Sequence, residues 1–399
     1  MKTVYLDYTA TTPVAPEVLE AMNPYFVERF GNPSSIHSFG EDPLEAIGEA
    51  REKVARLIGA APQEIIFTSC GTEANNHAIK GVAFQHLEKK GHIIVSAIEH
   101  FSVWYVVRRL QKWGYRVTYL PVDRDGMVDP DDVAGALSDD TILVSIQLAS
   151  NEVGTIQPLK EIARIVKEKK IPFHTDAVAA VGIIPVDVKE LGVDFLALAA
   201  NQFYGPKGAG ALYVRHKTPV VPLMDGGAQE DGKRSGTENV PAIVGMGRAA
   251  ELAMERMESD AARYRSLRLR LIEGLTERID QIYINGHPEK CLPNIVNLSA
   301  GYVEGESMLL FLDGEGIAVA SGSACTSVSL KASHILTAMQ VSPELAQGSL
   351  LFSFGRETTE EDIDYVIEKM PPIVKRLREL SPLYEKHARM ETKIAAAKE

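Results

Sequence analysis

From residue 64 onward the chain alternates between two periodicities, and this limits the folds open to it. Residues 65 to 67, 92 to 97, 115 to 122, 141 to 148 and 171 to 175 are short apolar runs bounded by turn residues. Helical spacing fills the gaps, as with Leu159, Ile162, Ile165 and Val166 between 159 and 170. Strands alternating with helices predict an α/β fold, a mainly parallel sheet with both faces covered. In such sheets ligands sit beyond the carboxyl ends of the strands. Gly71 and Thr72, His100, Asn151 and Asp176 all fall at those ends, so four polar positions far apart in sequence converge on one site.

Other stretches fill out the organisation. Residues 16 to 30 and 45 to 58 read as helices. Residues 194 to 210, DFLALAANQFYGPKGAG, read as a strand, a Gly-Pro-Lys-Gly turn and a returning strand. A polar loop with four glycines spans 225 to 240, and long helices follow from 241 to 280. Beyond them lie strands at 295 to 298 and 350 to 354, a helix at 305 to 313, and terminal helices at 359 to 380 and from 381 onward. A chain of 399 residues exceeds one ordinary hydrophobic core. Residues 15–258 are expected to form a large α/β domain, and 1–14 with 259–399 a smaller α/β domain.

Composition narrows the class. The chain is 45% hydrophobic and 24% charged, as globular proteins are. A net charge of -12 opposes direct nucleic-acid binding and acidic membranes. Cys70, Cys291 and Cys325 are too few for a disulfide framework. No apolar run approaches the ~18 residues of a membrane span, and the first residues lack a basic-then-apolar signal pattern. The expectation is a soluble, reduced, cytoplasmic protein.

Several residues could carry chemistry, each with a plainer alternative. Cys325 follows the small run Ser321-Gly322-Ser323-Ala324, and a thiol there can reach a substrate and withdraw. The alternative is a buried structural cysteine. A thiol with pKa ~8.5 needs surroundings that favour its thiolate to act as a nucleophile. Gly71 and Thr72 open a helix, whose free N–H groups suit a phosphate, or Ser69 or Thr72 is a simple N-cap. Asp176 can pair with a pyridinium nitrogen and stabilise a carbanion, or cap the next helix. His100 at a strand end is either functional or structural. Arg356 can clamp a carboxylate or be a solvated charge.

These motifs resemble those of the cysteine desulfurases, pyridoxal phosphate (PLP) enzymes of the class-V aminotransferase family. The resemblance runs from Tyr5 to Tyr384. Ser69-Cys70-Gly71-Thr72-Glu73 is similar to the family's phosphate cup, Glu99-His100-Phe101-Ser102-Val103 to the motif whose imidazole stacks on the ring, and His174-Thr175-Asp176-Ala177 to the ring-nitrogen motif. Asn151 lies in Ser150-Asn151-Glu152-Val153-Gly154-Thr155, similar to a further motif of the family. Gly236-Thr237-Glu238-Asn239 matches a loop whose threonine reaches the phosphate of the partner subunit, which implies a homodimer. Arg356 matches the arginine of the substrate carboxylate. Cys325, with Ser333-His334-Ile335-Leu336 after it, resembles the persulfide-forming loop. The implied fold is that of PLP-dependent transferases of fold type I, and the implied activity converts L-cysteine to L-alanine and an enzyme persulfide.

Departures cluster around the implied cofactor. The lysine that holds PLP as a Schiff base falls at Gln202, the phosphate-binding His and Ser at Asn201 and Ala199, and the ring-oxygen Gln at Ala179. Cys70 departs from the phosphate cup. Lys207 lies beyond Pro206 and is expected to point elsewhere. Hydrogen bonds to charged groups contribute roughly 1.5–3 kcal/mol each, so losing two weakens phosphate binding by about a hundredfold to ten-thousandfold. Three readings follow from the sequence. The first is a desulfurase-like protein with degenerate PLP catalysis that keeps Cys325 as persulfide carrier or iron–sulfur cluster ligand for a scaffold protein or other sulfur acceptor. The second is an active desulfurase with PLP held noncovalently. The third is a non-catalytic module for another small anion.

Overall fold

The computed structural model describes residues 2–321, 333–382 and 384. Its strands are β1 (Val4–Tyr5), β2 (Ile65–Thr68), β3 (His92–Ser96), β4 (Arg116–Leu120), β5 (Thr141–Ser145), β6 (Phe173–Asp176), β7 (Phe195–Ala199), β8 (Gly210–Val214), β9 (Ile282–Asn285), β10 (Ile295–Ala300), β11 (Ile317–Ala318) and β12 (Ser349–Ser353). The helices are α1 (Pro16–Met22), α2 (Pro24–Val27), α3 (Ser38–Leu57), α4 (Gly71–Ala83), α5 (Phe101–Lys112), α6 (Pro130–Ala136), α7 (Leu159–Glu168), α8 (Val188–Leu191), α9 (Val240–Thr276), α10 (Gly305–Gly314), α11 (His334–Ala338), α12 (Pro343–Gln347) and α13 (Glu360–Glu379).

Seven strands form the central sheet in the order β2-β8-β7-β6-β5-β3-β4. Pairing is parallel from β7 through β6, β5 and β3 to β4. Only β8 runs against its neighbours, β2 and β7. It is the returning strand after the Gly-Pro-Lys-Gly turn, so β2, β3, β5, β6 and β7 all end at one edge.

Strand side chains alternate in direction, and both directions here are apolar. Ile94, Val144 and Leu198 join a core with α3, α7 and α9. Ile93, Val95 and Leu212 join a second core with α4 and α5 on the opposite face. Burial on both sides explains why the strands read as continuous apolar runs.

A smaller antiparallel sheet places β10 between β9 and β12, and β1 pairs in parallel with β11. The N-terminal segment thus packs among late elements: Asp7 bridges Ser353, and the Thr9 N–H donates to Ser353 Oγ at 2.9 Å. No helix of the described residues is long and apolar enough to cross a membrane.

Element boundaries depart from expectation in two places, and one helix cap does as well. Residues 16 to 30 break into two short helices at Pro24, which opens the second. Helix α3 begins at Ser38 rather than residue 45, running through Gly40 and Pro43, which read as breakers. At Gly40 the backbones pack so closely that an added Cβ would lie 2.2 Å from Ser35 O. Helix α4 opens at Gly71 and Thr72 as expected, but Cys70 rather than Ser69 or Thr72 caps it, with its own sulfur.

Candidate active site

A cavity of about 810 Å³ opens at the strand edge of the central sheet. Gly71, Thr72, His100, Asn151, Asp176 and Gln202 all line it. Two described sites singled out in the sequence, Thr237 and Arg356, are not among its lining residues. Thr237 is exposed on the loop before α9. The Arg356 Nε donates to Asp260 Oδ2 at 2.8 Å and its guanidinium stacks 4.3 Å from the centre of the Tyr204 ring, while its Nη1 is buried with no hydrogen-bond partner among the described residues. Leu351 of β12 lines the wall there, so the placement gives no support to Arg356 as a carboxylate clamp. Cys325 lies outside the described residues, although Ser321 before it and Ser333 after it both line the cavity.

At the mouth of β2, the Cys70 Sγ accepts the Glu73 N–H at 3.4 Å and opens α4 toward the cavity. The Glu73 carboxylate accepts the Ser69 N–H and pairs with Arg234 at 2.8 Å, fixing the first turn. Gly71 is required by space, since a Cβ would sit 2.5 Å from Val178 Cγ2.

Asp176 ends β6, buried. Its Oδ2 accepts from Asn75 Nδ2 at 2.6 Å and its Oδ1 from the Val178 N–H at 3.0 Å. Asn75 also donates to Ser102 Oγ, which lies 2.8 Å from His100 Nδ1. One polar chain therefore runs from the carboxylate to the imidazole. His100 caps α5 by accepting the Ser102 N–H at 3.1 Å, which fixes its ring. Sequence reasoning missed Asn75 and Ser102. The available signal was an asparagine one turn inside a helix whose neighbours Ala74 and Ala78 are apolar.

Two further carboxyls are buried, Glu152 in the wall and Glu99 close to it, beside the lining residues His100 and Gln147. Burial pushes Glu152 up to about 7, opposed by a hydrogen bond from Ser333. Burial likewise pushes Glu99 up to about 8, opposed by the Ser96 hydroxyl and the Gln147 N–H. His334, lowered by burial, lies with Nε2 3.0 Å from Glu99 O and packs on Phe101 and Trp104.

Gln202 occupies the short turn after β7, and its Nε2 donates to Thr9 O at 2.9 Å. The N-terminal segment thereby forms part of the cavity wall. No lysine is among the described residues that line the cavity, and Lys207 is exposed.

These residues fit the noncovalent part of PLP. A buried carboxylate, a fixed imidazole and a helix N-terminus suit its ring nitrogen, ring face and phosphate. The Asn151 Oδ1 is buried with no hydrogen-bond partner among the described residues, so a polar partner there would satisfy it. A covalent lysine link does not fit the described residues. Among them no group of three or more His, Cys, Asp or Glu side chains is placed to hold a metal ion.

An Aminotransferase class-V family profile matches residues 4–366. The chain belongs to that family, in its cysteine desulfurase branch. "Cysteine desulfurase IscS" of Dictyoglomus turgidum is 55% identical over 379 residues, covering 95% of this chain and 96% of that protein. "Cysteine desulfurase IscS" of Methanosarcina thermophila is 53% identical, covering 97% of this chain and 96% of that protein. Among solved structures, a "NifS-like protein" superposes with a TM-score of 0.88 at 40% identity, over 94% of this chain and all of that one. As a class-V aminotransferase the chain has the PLP-dependent fold type I, with its mixed, mostly parallel central sheet.

Proposed function

We propose that this protein transfers sulfur from L-cysteine, with PLP, to Cys325 and then to an iron–sulfur scaffold or other sulfur-accepting protein. The observation that carries the reading is the convergence of Asp176, His100, Asn151 and the α4 N-terminus on one cavity, in a chain whose similar relatives are named cysteine desulfurases. PLP when bound supplies an electron sink for a carbanion. The chain's own residues do the rest. Asp176, anchored by Asn75 and the Val178 N–H, presents a fixed negative charge to the ring nitrogen. The α4 N-terminus receives the phosphate, and His100 holds the ring face. Cys325, as thiolate, takes the sulfur.

Gln202 favours a second reading. An amide nitrogen cannot replace the lysine, and Ala179, Ala199 and Asn201 remove further contacts to the cofactor. In this reading the cavity has lost turnover, and Cys325 serves as persulfide acceptor or cluster ligand beside a scaffold. The names of the relatives favour turnover; the side chain at position 202 favours its loss.

One experiment separates the two. The absorption spectrum of the purified protein is recorded before and after PLP and then L-cysteine, with sulfide assayed in the same tube. Turnover requires a yellow protein that releases sulfide. A colourless protein that releases none overturns the active reading. A brown protein from anaerobic purification supports Cys325 as a cluster ligand.

A homodimer is part of the proposal. Phe26, Val27, Phe30, Ile36 and Phe39 are all exposed within one short stretch around α2 and the start of α3. Clustered exposed apolar side chains suit a protein contact, and a second copy is the partner that the Thr237 loop requires.

A further inference from the structure

Helix α5 has an unusual outer face for a protein with a net charge of -12. Val103, Val106, Val107 and Leu110 bury its inner face in the core with α4. Phe101, Tyr105, Arg108, Arg109 and Lys112 share the opposite side, at the i, i+4, i+7, i+8 and i+11 positions. Tyr105 and Trp113, the residue that closes the helix, are both exposed. Lys80 of α4 adds a further cation: burial lowers it, and the nearby Arg109 lowers it more.

Some surface cations in this chain are paired, as Arg116 is with Asp140 and Arg270 with Asp364, but the cations of this face form a cluster without carboxylate partners. Among the described residues, Lys80, Arg108, Arg109 and Lys112 make neither an ion pair nor a side-chain hydrogen bond. The strip is roughly 18 Å long, and it begins at the cavity rim, where Phe101, Tyr105 and Arg108 belong to the lining.

We infer that this face of α5 is the docking surface for an acidic, sulfur-accepting protein, whose acceptor group it brings to the cavity rim. The choice of partner rests on the sulfur-transfer reading above. Unpaired arginine and lysine favour an acidic face and speed its encounter. Exposed tyrosine and tryptophan supply the aromatic anchors that interfaces use. A protein suits the strip better than a nucleic acid does, because the rest of the molecule is strongly negative and repels a long polyanion.

The test uses the full-length protein and, as probe, an acidic iron–sulfur scaffold protein from the same organism. Binding is titrated from about 50 mM to about 300 mM salt, a range over which screening of exposed charges strengthens. No turnover is needed, so the result is independent of whether the cavity converts cysteine, which the sulfide assay reports separately. Wild-type protein should bind at low salt and lose affinity as salt rises. Arg109→Glu with Lys112→Glu should raise Kd at least tenfold and flatten the salt dependence. Arg109→Gln with Lys112→Gln should give a smaller loss of the same kind, and it carries the test if the charge reversal disturbs folding. Tyr105→Ala with Trp113→Ala should raise Kd with the salt slope kept. Wild-type affinity in both charge variants overturns the inference, as does the absence of scaffold binding at low salt. Single-stranded DNA held more tightly than the scaffold, and lost in the charge variants, overturns it in favour of a nucleic-acid surface.

Discussion

In the proposed function, position 202 separates the two readings. Gln202 is held by Thr9 O, in a wall where Ala199 and Asn201 stand close by. A lysine placed there regains an amine, but it does not regain the contacts missing at Ala179, Ala199 and Asn201. Gln202→Lys should therefore shift the absorption of added PLP toward a covalent adduct while raising sulfide release only slightly. Turnover restored fully by that single change would show that the three neighbouring positions matter little. The same neighbourhood shows what the sequence could convey. His100, Asn151 and Asp176 are legible because each follows a strand, and strand ends share an edge. The partner of Arg356 is not legible, because Asp260, which accepts from its Nε, lies 96 positions away in sequence.

The connection from β2 to α4 depends on close approach. Gly71 has room for hydrogen alone, with Val178 Cγ2 in the way of a Cβ. Gly71→Ala should destabilise the fold by about 1–3 kcal/mol through overpacking, read as a lower Tm. Val178→Ala removes the obstructing methyl, so adding Gly71→Ala to that variant should cost clearly less than in the wild type. Equal costs in both backgrounds would mean that the strain lies elsewhere. Strand positions are well legible because both faces are apolar, whereas helix starts are not. Helix α3 runs through Gly40 and Pro43 because tertiary contact overrides propensity, and the cap of α4 is a cysteine sulfur rather than a hydroxyl.

Across the molecule, buried ionisable groups set a stability optimum on the acid side of neutrality. Glu99 and Glu152 are pushed up to about 8 and about 7 from 4.5. The folded state holds their protons after the unfolded chain has released them, so their contribution fades as pH rises from 4.5 toward 8. His77 and His174 are pushed down by burial to about 4 and about 3 from 6.5. There the unfolded chain takes up protons first, so stability falls as pH drops below 6.5. Thermal melts across this range should place the highest Tm between 4.5 and 6.5, and Glu99→Gln should flatten the alkaline side. A wild-type Tm still rising at pH 8 would exclude this account. The exposed apolar cluster makes a second prediction. Val27→Asp with Ile36→Asp should convert the proposed dimer to monomer in sedimentation velocity, because charge at the centre of an interface is poorly tolerated. A dimer unchanged by both substitutions would place the contact elsewhere.

The cavity wall joins the two ends of the chain. Thr9 donates to Ser353, 344 positions later, and Gln202 reaches back 193 positions to Thr9. During synthesis β1 emerges with no partner, since β11 and β12 follow the whole central sheet in sequence. Domains fold as the ribosome delivers them, so the central sheet can assemble while this wall is still missing. A chain released from the ribosome before residue 353 would lack this part of the wall, so the cavity closes later than the sheet that carries it.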